Sequence, residues 1–230
     1  MKTHLIFLEI AKKDLEATKC LYDKKFYSHS IFDLQQCIEK MVKSYGLYSE
    51  IITEAEAKIT VGHKALKVFF EIFKERKFNE LLEKYPELKE VSSINRFKSN
   101  LDEYKSTLFD ENETWDISFS RETLQNIITN IDTLGDELEE VKRRINPKES
   151  LRRKTVNYIL NFIFCLFSLS VLSLVFTPHA VRSRYPQDNF NPLEVYDDKM
   201  PLVQTLDHFM KIAEETLEKL NQIYTELSGG

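Results

Sequence analysis

Glycine and proline are scarce in this chain, five and six among 230 residues, and most of them lie outside the periodic segments. A sheet-rich fold needs turn residues at short intervals, so their scarcity excludes one and favours long helices with short connections. Cysteine is equally thin: Cys20, Cys37 and Cys165 are odd in number, widely spaced and form no CxxC. That excludes a disulfide framework and points to buried thiols in a reducing, cytoplasmic setting. The five histidines are scattered, with no His-x-x-x-His or Glu-x-x-His pair. No metal set is visible and no cofactor is expected. An excess of positive charge is also lacking. The net charge of −5 argues against a broad nucleic-acid surface, while a local basic patch stays compatible with it. The single tryptophan, Trp115, sits in the polar stretch FDENETWDIS and reads as the pin of a loop. No internal repeat or low-complexity tract is present.

What is there is helical periodicity. With 30% charged and 42% hydrophobic residues, the composition is that of an ordinary folded domain, long enough for one full core. Residues 3–23 predict a first helix with Leu8, Ala11, Leu15 and Tyr22 along one stripe. Its short apolar start stops at Glu9, unlike a signal peptide. Residues 28–48 predict a second helix, capped at Ser28 or Ser30 and running past Gly46 to about Ala57. Leu34, Ile38, Met41, Val42 and Tyr45 recur at steps of three and four, and Gln36, Lys40 and Lys43 mark another side. Glu39 and Lys43 stand at i,i+4 with the acid first, the favourable order for an ion pair. So tight a connection makes the two helices antiparallel. Further helices are predicted over 64–84, with Leu66, Phe69, Phe70, Phe73 and Leu81 inward, and over 87–106 after Tyr85-Pro86. A long one spans 120–145, with Leu124, Ile127, Ile128, Ile131, Leu134, Leu138 and Val141 on one stripe. The last, over 199–227, carries Leu202, Leu206, Phe209, Met210, Ala213, Leu217, Leu220 and Tyr224.

Residues 156–176 carry two readings. They contain no charge and only two Asn and three Ser, and about 20 apolar residues are enough to cross a bilayer. Lys142, Arg143, Arg144, Lys148, Arg152, Arg153 and Lys154 precede them, the pattern that holds a helix end in the cytosol. A central helix buried on every side of a helical domain is apolar all round as well.

Two separated stretches point to a family. The first holds Ala11, Asp14, Leu15 and Ala17, then Phe32-x3-Gln36-x2-Glu39-Lys40-x2-Lys43, then Gly62-His63. The second is Arg184-Tyr185-Pro186 followed by a closing amphipathic helix. In order and placement they resemble the HEPN family, the nucleotide-binding domain of higher eukaryotes and prokaryotes. The resemblance covers residues 8–70 and 177–225. It implies an all-α fold, an antiparallel helical bundle of HEPN type, as a single domain over 1–230 with residues 87–150 as a helical insertion. In that family the helix before Arg-Tyr-Pro packs with the first two. The resemblance therefore favours a buried central helix for 156–176 and leaves a membrane span as the alternative.

Many HEPN proteins resemble one another as metal-independent ribonucleases, with an Arg followed four to six residues later by a His. The His would act on the ribose 2′-hydroxyl or leaving oxygen and the Arg would stabilise phosphate charge. No Arg precedes His63, His179 or His208 at that spacing, and His179 precedes Arg182 and Arg184 instead. The resemblance then implies a non-catalytic nucleotide- or RNA-binding module, with a divergent ribonuclease of toxin–antitoxin or defence type as the alternative. Lys40, Lys43, His63, Arg182 and Arg184 would converge on a phosphate, Arg by bidentate contact. Equally, Glu39 would pair with Lys43 or Arg184 as scaffold. The chain carries no Gly-Ser-x6-Asp-x-Asp signature of its own, so a nucleotidyltransferase is an expected partner encoded elsewhere. A homodimer is the expected assembly.

Overall fold

The computed structural model describes residues 2–59, 82–83, 85–96, 119–145, 150–186 and 190–226. The expected helix over 64–84 falls almost wholly outside them, and Trp115 lies outside them too. Among the described residues the structure is helical and contains no strand ladder.

Helices α1 (Thr3–Asp23) and α2 (Tyr27–Tyr48) form the antiparallel hairpin that the stripes predict. Leu8, Ala11 and Leu15 of α1 meet Leu34, Ile38, Met41, Val42 and Tyr45 of α2 in the core. Two side-chain bonds fix the register. Ser30 Oγ donates to the Thr18 carbonyl at 3.0 Å and Ser44 Oγ to the His4 carbonyl at 2.8 Å. Antiparallel register then sets Cys37 opposite Ala11, both fully buried. The result is a seam of mostly small residues every seventh position on both helices, which lets the two backbones approach closely. Ser30 and Ser28 therefore belong to the interior of α2 and do not cap it; the N-cap is Phe26.

The hairpin turn closes without glycine. Lys25 takes φ 63°, while the Phe26 amide donates to the Leu21 carbonyl and the Lys25 amide to that of Tyr22, both at 2.9 Å. This is a Schellman ending. The same arrangement stops α2 well before Ala57. Glu50 takes φ 58°, and the Ile51 and Glu50 amides donate to the carbonyls of Gly46 and Leu47 at 3.0 and 3.3 Å. A new helix, α3 (Glu54–Ile59), starts on a capping box. The Thr53 amide donates to the Glu56 carboxylate at 2.7 Å, and the Glu56 amide to Thr53 Oγ1 at 3.3 Å.

The helix expected from Glu87 starts later. Pro86–Glu90 is a 3-10 turn and Val91 is extended. Residues 92–96 then open a helical segment whose first amides, on Ser92 and Ser93, donate to the Glu137 carboxylate at 3.3 and 3.1 Å. Glu137 belongs to α4 (Arg121–Ile145), where Leu124, Ile128, Ile131, Leu134, Leu138 and Val141 are buried.

Helix α5 (Ser150–Phe176) runs through the centre, packed by α2, α4 and α9 (Leu206–Glu226). No residue from Val156 to Phe176 is exposed, and Phe164 and Leu166, on different faces, are both buried. This helix is long and apolar enough to cross a membrane, yet here it has the packing of a core helix. The short helices α6 (His179–Arg182), α7 (Pro192–Val195) and α8 (Pro201–Gln204) lead to α9. A break at Thr205, whose hydroxyl donates back to the Pro201 carbonyl at 3.0 Å, divides the expected 199–227 helix in two. Every apolar residue expected to face inward along it is buried.

Candidate functional site

Phe32, Gln36, Glu39 and Lys43 lie within about 60° of one another around α2, since successive residues turn by about 100°. Lys40 and Asp33 stand on the flank nearer Asp14 of α1. The ridge is polar and mostly covered. Lys43 Nζ lies 2.7 Å from Glu39 Oε1, and each side chain is only 12% exposed. The same amine sits 5.8 Å from the Phe7 ring centre. Lys40 Nζ donates to Gln36 Oε1 and lies 3.9 Å from Asp14 Oδ2. Burial pushes the carboxyls of Asp14 and Asp33 upward, and Lys40 works against both shifts. Three carboxylates thus accompany two lysines. The lysines are held by groups of their own chain, and Glu39 has Lys43 as its partner, not Arg184.

Lys43→Met tests that assignment. It leaves Glu39 largely covered with no cation, which costs about 2 kcal/mol, between the values for exposed and fully buried pairs. Glu39→Gln combined with Lys43→Met recovers most of the loss. Urea melts of the three chains decide it, and a double variant no more stable than Lys43→Met rejects the pairing.

Arg184 has a different setting. It follows α6, which packs on α2. The amides of Arg184 and Tyr185 both donate to the Val181 carbonyl at 3.1 Å, closing the turn. The guanidinium carbon lies 4.5 Å from the Phe32 ring centre and 4.8 Å from that of Tyr185. Both Arg184 and Tyr185 are exposed, and among the described residues no carboxylate forms an ion pair with Arg184. Its charge is held between two rings with its N–H groups left for solvent or a ligand.

Arg182 serves the other side of the same segment. Its charge, after burial, helps push His179 down to about 3. His179 is fully buried, and its Nδ1 lies 2.8 Å from the Tyr196 hydroxyl. This pair clasps α6 to the segment after α7. Of the five residues expected to converge, the structure sets Lys40 and Lys43 on the ridge, Arg184 at its Phe32 end and Arg182 beside His179. His63 lies outside the described residues. Phe32 and Tyr185, which flank the guanidinium, belong to the two stretches that carry the resemblance, but nothing in the sequence pairs their rings around Arg184. The His179–Tyr196 pair carried no sequence signal.

The class is therefore a helical domain with a central apolar helix, a covered polar ridge on α2 and an exposed arginine at the ridge's end. A family model described as "HEPN domain" matches residues 5–130, more than half of the chain, and the chain belongs to the HEPN domain family. The matched stretch takes in α1 and α2 and ends within α4, so Arg184-Tyr185-Pro186 and the closing helix lie beyond it. No curated protein and no solved structure matches.

Proposed function

We propose that this chain is a non-catalytic HEPN module that binds the phosphate of a nucleotide or RNA through Arg184, with the Tyr185 ring beside it as a stacking surface. The observation that carries this is the Arg184 guanidinium itself, exposed, held between Phe32 and Tyr185 and without an ion pair among the described residues. A planar donor fork so placed suits two phosphate oxygens. The absence of ribonuclease chemistry from this reading rests on the histidines. None follows an Arg at the spacing of the family's catalytic pair, and His179, the one nearest Arg184 in sequence, is buried against Tyr196. Cys37 and Cys165 are buried free thiols while Cys20, expected to be buried as well, is exposed; three thiols left unpaired suit a reducing, cytoplasmic setting. A nucleotidyltransferase partner and pairing with a second copy belong to the same reading.

The test is a titration with labelled ATP and with labelled single-stranded RNA in the presence of a chelator. Hydrogen bonds to charged groups contribute about 1.5–3 kcal/mol, so Arg184→Ala weakens binding about tenfold to a hundredfold. Its melting curve without ligand moves little, because an exposed cation over a ring contributes only about 0.5–1 kcal/mol. The RNA stays intact throughout. Unchanged affinity in Arg184→Ala removes this residue from the site, and cleavage of the RNA under chelation overturns the non-catalytic reading.

A further inference from the structure

The strongest charge concentration in the chain lies far from Arg184. Between Lys142 and Lys154 seven of thirteen residues are basic and one, Glu149, is acidic, in a chain whose net charge is −5. Because α5 is buried in the bundle, these cations do not serve as the flank of a membrane span. The fold instead sets the last turn of α4 at the same end of the bundle as the first turns of α5.

Among the described residues, three acids at this end are already engaged. Glu140 and Glu90 hold Arg144 at 2.5 and 2.8 Å, and Glu139 holds Lys142 at 3.4 Å. Arg143, Arg153 and Lys154 are exposed and have no ion pair among the described residues; Arg143 Nε donates only to the Glu139 carbonyl of its own helix, at 3.3 Å. Two of these three stand near the start of α5, whose first turn has no acid, where the helix dipole favours anions and cations cost stability. An end of the bundle that keeps unpaired cations against this preference is complementary to an external anion.

Position then selects the kind of anion. Helix α5 has 27 residues and is about 40 Å long at about 1.5 Å per residue. Arg153 stands near its start and Arg184 beyond its end. A ligand with one phosphate group reaches only one of the two sites, whereas a chain of linked phosphates reaches both. None of the exposed large hydrophobic residues lies on the described last turn of α4 or first turns of α5, which leaves charge as the means of recognition there. We infer that Arg143, Arg153 and Lys154 form a second contact surface for the phosphate backbone of a polynucleotide, separate from the Arg184 site. The inference rests on the reading of Arg184 only for the choice of a polymer over a single nucleotide.

The experiment combines Arg143→Gln, Arg153→Glu and Lys154→Glu in the full chain. It compares binding of labelled ATP, of labelled single-stranded RNA long enough to span α5, and of phosphatidylserine vesicles. RNA affinity falls about tenfold or more, and the plot of log affinity against log salt loses about 2 from its slope, for three single-strand phosphate contacts at about 0.7 each. ATP binding stays as it was. The melting temperature does not drop, since acids suit the start of α5; a merely structural role for these cations would lower it. An unchanged RNA salt slope overturns the inference, and so does vesicle binding by the parent chain that the variant loses while RNA affinity stays the same. Loss of ATP binding in Arg184→Ala is read separately, so either site can fail without the other.

Discussion

Phe209→Ala lowers the stability of the chain by about 3–5 kcal/mol, the usual range for deleting a buried aromatic ring. Phe209 is fully buried, and its ring meets that of Phe176 edge to face at 5.4 Å. Phe176 is the last residue of α5, so this contact fastens α9 across the end of the central helix. The loss combines burial with the hole left behind, because the rigid walls of α5 relax only partly. Chemical denaturation of the wild type and the variant measures it. A loss below about 1 kcal/mol would mean that α9 does not cover α5, and the bundle described above would be wrong at its centre.

Acid is the second large lever. His179 has its pKa lowered to about 3 by burial and then by the Arg182 charge, against an ordinary value of 6.5. The folded chain holds the ring neutral while the unfolded chain protonates it below pH 6.5. His179 therefore adds stability in full above that value, and the contribution drains away as pH falls toward 3. The slope is about 1.4 kcal/mol per pH unit, for a total of about 4–5 kcal/mol. Asp14 and Asp33 act in the opposite sense. Their raised carboxyl pKa values favour proton uptake by the folded state near and above pH 4, so the net acid slope is shallower than that of His179 alone. His179→Asn keeps an amide near Nδ1 for the Tyr196 hydroxyl and cannot titrate. Stability measured against pH for both chains isolates the histidine in the difference. A difference that stays flat between pH 6.5 and 4 would show that the folded chain accepts the proton.

The long stripes were legible because periodicity reports burial directly. Leu124 to Val141 and Leu202 to Tyr224 are in the core as their spacing predicts. Residues 156–176 were legible only with the family in view, since uniform apolarity does not say whether protein or lipid surrounds a helix. Element ends were the weak point, for a physical reason. Glycine is the usual mark of a left-handed helix stop, and both stops of the hairpin use other residues, Lys25 and Glu50. The restart at Thr53 did carry a mark, the Thr-x-x-Glu capping box, which the running periodicity of α2 concealed. At the site, the Glu39–Lys43 pair followed from i,i+4 spacing. The stacking of Arg184 on Phe32 did not, because 152 positions of sequence separate them and only the docking of α6 on α2 brings them together. The same holds for Glu137, which caps a segment some 45 residues before it.

The burial of α5 has a consequence during synthesis. Two of its three covering helices, α2 and α4, precede it in the chain, so it emerges onto faces already made. The third, α9, ends about 50 residues after Phe176. At about 5–20 residues per second on the ribosome, that side of the most apolar helix stands open for roughly 3–10 s. During that interval the nascent chain presents to the cell the long hydrophobic face that targeting and chaperone machinery is built to notice, and only the arrival of α9 withdraws it.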